Sequence, residues 1–182
     1  MDVVVVAPEI APNTGNIIRL CANVGARLHL VEPLGFGLDE RSLRRGGLDY
    51  HELTSVTVHS SFDDLVASLA GDEPGEVGDL TLGARWFGFA AGADRRFDAP
   101  DYPDDAILVF GAEQAGLAPE VRRRFAPGRL VTIPMRPDNR SLNLANAVAL
   151  GSYEVWRQRG FAGGGASGTF GEWPGADARD RA

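Results

Sequence analysis

Lysine is absent from the 182 residues, and cysteine occurs once. A single cysteine cannot close an internal disulfide, which excludes a stapled secreted scaffold and favours a reducing compartment. Without lysine there is no Walker-type phosphate loop, and no G-x-S-x-G nucleophile elbow occurs. The histidines, His29, His51 and His59, are scattered, and with one cysteine they give no recognisable metal-ligand spacing. No apolar run reaches membrane-spanning length, and the start, MDVVVVAPEIAPN, has neither a basic opening nor a cleavage-like end. These absences lead to the expectation of a cytoplasmic protein with no metal and no membrane partner.

The composition, 44% hydrophobic and 24% charged, is that of one soluble globular domain with a single core. A net charge of -7 argues on its face against a nucleic-acid partner. The acidity is local, however. Asp63 to Asp105 holds 11 acids and three arginines, and the remainder carries 15 arginines against 14 acids. Guanidinium suits bidentate phosphate contacts, although codon bias in a GC-rich genome is the simpler cause of an all-arginine basic set.

The pattern alternates strand and helix. Val3–Ala7 is a β-branched run stopped by Pro8, which predicts a buried parallel strand. Thr14 is placed to cap a helix with Ile17, Cys21 and Val24 on one face and Gly25 as its stop. Arg27–Glu32 and Val56–His59 read as strands, Asp39–Arg45 as a polar helix, and Phe62–Ala70 as a helix turning Phe62, Leu65, Val66 and Leu69 inward. A strand is expected at Asp79–Leu82, followed by an irregular stretch from Gly83 to Asp105. Ala106–Phe110 and Leu130–Ile133 read as core strands and Pro119–Phe125 as a short helix. Leu142–Gln158 is the longest helix, with Leu144, Val148, Gly151 and Val155 inside. Residues 1–160 form the expected domain, and 161–182 a mobile glycine-rich tail. Such alternation favours an α/β fold, a mostly parallel sheet flanked by helices.

In an open parallel sheet, ligands bind beyond the carboxyl ends of the strands. The loop Pro8–Asn16 leads into a helix bearing Arg19, with Asn13 six residues earlier. Gly111-Ala112-Glu113-Gln114-Ala115-Gly116 differs from the dinucleotide fingerprint because Glu113 replaces the second glycine, and a carboxylate there would repel a pyrophosphate. Ile133-Pro134-Met135 leads to Ser141, Leu142, Asn143 and Asn146 at the entry of the long helix, more polar side chains than one cap requires. Leu82-Gly83-Ala84-Arg85 is the fourth candidate loop. Cys21 lies on an apolar helix face and reads as core, Trp156 as packing, and His51 as structural. Tyr153 could turn its hydroxyl toward the loops.

Taken together and in order, P-E-I-x-P-N-T-G-N-I-I-R-L-C-A-N, F-G-x-E-x-x-G-L, I-P-M, R-S-L-N-L-x-N-A-V and Y-E-x-W-R-Q resemble the SPOUT methyltransferases. The likeness covers about residues 3 to 160. It is nearest to the tRNA (cytidine/uridine-2'-O-)-methyltransferases acting at the wobble position of certain leucine tRNAs, as the segment Arg41–Glu52 also suggests. The resemblance implies a deep C-terminal trefoil knot, an exception to ordinary topology rules. It also implies S-adenosyl-L-methionine as cofactor, S-adenosyl-L-homocysteine as product, a tRNA substrate, and a homodimer with a shared active site.

Carried over residue by residue, the resemblance implies cofactor contacts at Leu82, Gly111, Ile133 and Ser141, with Met135 and Leu142 as apolar or backbone contacts. Glu113, Asn143 and Asn146 would shape the same pocket. Arg19 matches the arginine assigned to the reactive ribose, Tyr153 a tyrosine near the substrate, and Asn13 the asparagine of the first motif. The second loop lacks the arginine usual in the family. Gly83-Ala84-Arg85 stands where a threonine-rich turn is expected. Another tRNA position or a ribosomal RNA target remains open, as do a non-catalytic knotted RNA-binding protein and a flavodoxin-like nucleotide-binding domain.

Overall fold

Asp2–Val6 is four-fifths valine and forms β1, an interior strand of a parallel sheet. β-branched side chains suit a strand covered on both faces. The computed structural model describes residues 1–37, 56–69, 81–139, 141–166 and 170–172. Its other sheet strands are β2 (Arg27–Val31), β3 (Val56–His59), β4 (Trp86–Phe89), β5 (Arg95–Arg96), β6 (Ile107–Phe110) and β7 (Leu130–Thr132). The spatial order is β3-β2-β1-β6-β4-β7-β5, with every pairing parallel. The helices are α1 (Ala11–Val24), α2 (Phe62–Leu69), α3 (Pro119–Arg122) and α4 (Leu144–Gln158). The expected helix at Asp39–Arg45 and His51 lie outside the described residues.

The two-residue period of each strand divides the core. Val3, Val5, Leu28, Leu30, Leu108 and Phe110 face α1 and α4, whereas Val4, Val31, Ile107 and Val109 face α2 and α3. The expected inner faces of α1 (Ile17, Cys21, Val24) and α4 (Leu144, Val148, Gly151, Val155) are buried. Gly151 is required by space. A Cβ there would lie 2.7 Å from Phe89 Cζ and 3.2 Å from Phe110 Cζ, and those two rings stack at 4.4 Å. Burial pushes the Cys21 thiol up to about 12, so it packs as an apolar residue.

Several expectations are corrected. α1 starts three residues before Thr14, at Ala11 with Pro12 in the first turn, and Thr14 is buried inside it. Proline fits there because the first helical N–H groups have no partner within the helix. The helix does end at Gly25, in the left-handed conformation. Leu82 is not the end of a strand. It makes one isolated bridge to Phe125, and the strand is Trp86–Phe89, inside the stretch expected to be irregular. α3 ends at Arg122, and α4 begins at Leu144 behind an Asn143 cap.

Two histidines far apart in sequence meet in the fold. His29 Nδ1 and His59 Nε2 are 3.0 Å apart, and His29 Nε2 is 3.2 Å from Asp2 Oδ1. All three are buried, and Arg27 grips Asp2 through Nε and Nη2 at 2.7 and 2.9 Å. The carboxylate accepts a hydrogen bond from the His29 Nε2–H, which leaves Nδ1 to accept one from the His59 Nε2–H. After α4, the Trp156 indole donates to the Ala162 carbonyl at 3.0 Å, and β8 (Gly165–Ala166) pairs antiparallel with β9 (Phe170–Glu172). Among the described residues, no helix is long and apolar enough to cross a membrane.

Candidate functional site

The strand register sets the site. Val5 pairs with Phe110, Val109 with Gly88, and Val131 with Phe89, so the turns after β1, β4, β6 and β7 emerge side by side at the carboxyl edge of the sheet. Ala90 continues this edge by donating its N–H to the Val131 carbonyl at 2.9 Å.

The turn after β6 is Gly111–Gly116. A Cβ on Gly111 would sit 2.0 Å from the Gly116 carbonyl carbon and 2.2 Å from Leu117 N, so only glycine fits at this chain crossing. Gly116 N–H closes the turn on the Ala112 carbonyl at 2.9 Å, with Gly116 at φ +65. Glu113 points to the first loop rather than outward. Its Oε2 accepts from Glu9 N at 2.7 Å, and its Oε1 accepts from Ile10 N at 3.2 Å and Asn13 Nδ2 at 3.0 Å. Ile10, the residue capping α1, has no side-chain cap of its own. Glu113 therefore supplies an anionic acceptor at the positive end of the α1 dipole.

The third loop joins the same network. Asn143 Nδ2 donates to Asn13 Oδ1 at 2.8 Å, and Asn143 Oδ1 caps α4 by accepting from Ala145 N at 2.9 Å and Asn146 N at 3.4 Å. The Asn13 amide thus joins Glu113 to Asn143, linking loops from three distant parts of the chain. Asn13 lies in the first turn of α1 and Arg19 is exposed in its third.

The remaining expected site residues are placed as follows. Ile133 is half-buried against the core beyond β7, and Met135 and Leu142 expose 43% and 40% of their surface. Ser141 and Asn146 are also exposed. Tyr153 is 44% exposed on α4, which packs against α1, and its ring meets Trp156 edge-on at 5.6 Å. Leu82 does not belong to this group. It is 4% exposed and packs beside Trp86 and Phe125, ahead of the strand whose far end forms the site.

Two features were missed in the sequence. Ala90-Ala91-Gly92 occupies the strand-end position assigned to Leu82; the apolar run Trp86–Phe89 was the available signal, diluted by the glycines and acids around it. The second is Glu9, whose Oε2 accepts from Gln114 N at 3.0 Å, a long-range bond with no local sequence signal. Among the described residues, no group of three or more His, Cys, Asp and Glu side chains is placed to hold a metal ion.

Comparison with known proteins adds to this geometry. The model of the SpoU rRNA Methylase family matches residues 1–153. A tRNA (cytidine(34)-2'-O)-methyltransferase of Burkholderia pseudomallei (strain 1106a) is 53% identical over 163 residues, 90% of this chain and 98% of that protein. A solved structure described as giving insights into the 2-OH methylation of C/U34 on tRNA is 37% identical, with a TM-score of 0.72 over 87% of this chain and 90% of that one. The SpoU methyltransferase AviRb of Streptomyces viridochromogenes, solved with the cofactor AdoMet, is 26% identical, with a TM-score of 0.70 over 87% of this chain and 57% of that one.

Proposed function

The chain belongs to the SpoU rRNA Methylase family, and from that premise we propose that it methylates the ribose 2'-hydroxyl of the wobble cytidine or uridine in leucine tRNAs, using S-adenosyl-L-methionine. The observation that carries this reading is the linked set of loops at one sheet edge, with Glu113, Asn13 and Asn143 bonded across them. The 53% identical relative named for cytidine 34 supports the target. A cytoplasmic location follows from such a substrate. Residues 1–160 are the catalytic unit in this reading, with 161–182 appended to it.

The residues present fit the cofactor. Gly111 lets its turn close against the Gly116–Leu117 backbone, which shapes the loop at the sheet edge, and Met135 and Leu142 present apolar surface beside the polar Ser141. Ala90–Gly92, Gly111, Ile133, Met135, Ser141 and Leu142 would hold it, with Asn146 at the rim. When bound it supplies a sulfonium methyl group that needs no metal activation. The protein's own contribution is alignment, which can account for about 7–11 kcal/mol of a barrier. Arg19 would grip the ribose or adjoining phosphate and hold the 2'-oxygen in line. A guanidinium is a poor proton acceptor, so the proton passes to the neighbouring RNA phosphate. Tyr153 would orient the nucleotide, and Asn13 would hold the helix that carries Arg19.

A C-terminal trefoil knot belongs to the same proposal. The chain leaves β7, separated from β6 by β4, and returns to lay α4 against β6 and α1. The end of α4 is then held by segment 97–104: Gln158 Nε2 donates to the Pro100 carbonyl at 3.0 Å, and Tyr102 N donates to Gln158 Oε1 at 3.0 Å. A homodimer is also proposed. Leu150, Tyr153 and Phe161 leave apolar surface exposed beside an open groove of about 340 Å³ along α4.

Mapping 2'-O-methyl groups in tRNA from a strain lacking the gene tests the function. Loss confined to position 34 of leucine tRNAs is expected. Loss at another tRNA position or in ribosomal RNA would replace the target, and an unchanged map would overturn the reading.

A further inference from the structure

We propose that Glu9 is a positioning residue, one half of a reciprocal strap with Glu113 that sets the turn 111–116 against the first turn of α1. Each carboxylate accepts from the backbone of the opposite loop. Glu113 takes Glu9 N at 2.7 Å and Ile10 N at 3.2 Å, and Glu9 Oε2 takes Gln114 N at 3.0 Å. The residues joined are more than 100 positions apart in the chain. One side of the strap carries Gly111, and the other opens the helix bearing Arg19. The strap thus holds the cofactor side and the RNA side of the site in one register. This inference rests on the cofactor reading given above.

The two halves use their oxygens differently. Both Glu113 oxygens are engaged, one by Glu9 N and the other by Ile10 N and Asn13 Nδ2. An amide at position 113 must turn its NH2 toward one of these donors. The strap asks only one acceptor of Glu9, and glutamine supplies it. Aspartate keeps the charge but is one methylene short of Gln114 N. Charge and reach therefore separate at position 9.

The test uses the full chain, with two readouts: calorimetric affinity for S-adenosyl-L-methionine, and amide hydrogen exchange at Gln114, Glu9 and Ile10. Glu9→Ala and Glu9→Asp are expected to speed exchange at Gln114 at least tenfold and to weaken cofactor binding about tenfold, with sheet amides still protected. Glu9→Gln recovers both to within about threefold of the parent protein. Glu113→Gln behaves like Glu113→Ala, and adding Glu9→Ala to Glu113→Ala weakens binding by less than twofold more. Should Glu9→Ala not fold, the Asp and Gln variants still decide between reach and charge. The strap is overturned if Glu9→Asp leaves Gln114 exchange and affinity within twofold, or if Glu9→Gln is no better than Glu9→Asp. A parent protein that does not bind the cofactor overturns the functional reading alone, because exchange at Gln114 still tests the strap.

Discussion

Asn143 donates its side-chain amide to Asn13 Oδ1 across 2.8 Å, and 130 positions of sequence separate the two residues. The same Asn143 caps α4, so one side chain ends a helix and ties it to α1. Asn143→Ala removes a cap worth about 1 kcal/mol and a hydrogen bond worth about 0.5–1.5 kcal/mol. Urea unfolding should show a loss of about 2 kcal/mol. A loss under 0.5 kcal/mol would mean that the bridge contributes no stability.

Arg19 is exposed on α1, away from the Gly111 turn in sequence and chemistry. Arg19→Ala should abolish methyl transfer to transcribed leucine tRNA in single-turnover assays while cofactor affinity stays within about twofold. Arg19→Lys should be nearly as poor, since an ammonium cannot reproduce a forked grip on ribose and phosphate oxygens. Turnover near that of the parent protein in Arg19→Ala would shift the role to Tyr153.

Gly151→Ala tests the packing of α4. Alanine would gain about 0.5–1 kcal/mol in helix preference. The added methyl meets the stacked rings of Phe89 and Phe110 at 2.7 and 3.2 Å, and overpacking a core costs about 1–3 kcal/mol. A net destabilisation of about 1–2 kcal/mol is expected from the shift in urea midpoint. A variant more stable than the parent would show that the rings can move aside.

Acid should destabilise the protein in two stages. Burial, reinforced by His29, lowers the His59 pKa, so below the ordinary value of about 6.5 the unfolded chain binds protons that the folded chain refuses. Burial opposes the ionisation of Asp2, but hydrogen bonds from His29 and Arg27 outweigh it and hold the carboxyl at about 2, against an ordinary 3.8. That depression stabilises the fold by about 2 kcal/mol above pH 4, and this is lost as the pH falls toward 2. Urea titrations at pH 7, 5.5 and 3 should show both losses, and Asp2→Asn should remove most of the second. Equal stability at pH 7 and 5.5 would rule out the His59 contribution.

The core was legible in the sequence because periodicity reports it directly. Ile17, Cys21 and Val24 repeat at helical spacing, and Val3 to Val5 form a β-branched run. Trp86–Phe89 was not legible because its three aromatic residues are interrupted by Gly88 and flanked by Gly83 and Gly92, too short a run for a period to emerge. Thr14 had the chemistry of a cap, but α1 is capped by Ile10, whose N–H is held by Glu113, about 100 positions later. Motif resemblance pointed to Asn13, Glu113 and Asn143, which the fold brings together, but not to their bonds to one another. The bonding of Glu9 to the Gln114 backbone and of His29 to His59 depends on strand order, which local pattern does not encode.

The only cysteine in the chain, Cys21, is 1% exposed between α1 and the sheet, with a thiol too basic to ionise at neutral pH. The molecule therefore carries a built-in clock. An alkylating reagent in excess can mark Cys21 only while α1 is lifted from its bed, so the slow rise in mass follows the opening of that helix. No engineered probe is needed, and no second thiol adds to the signal.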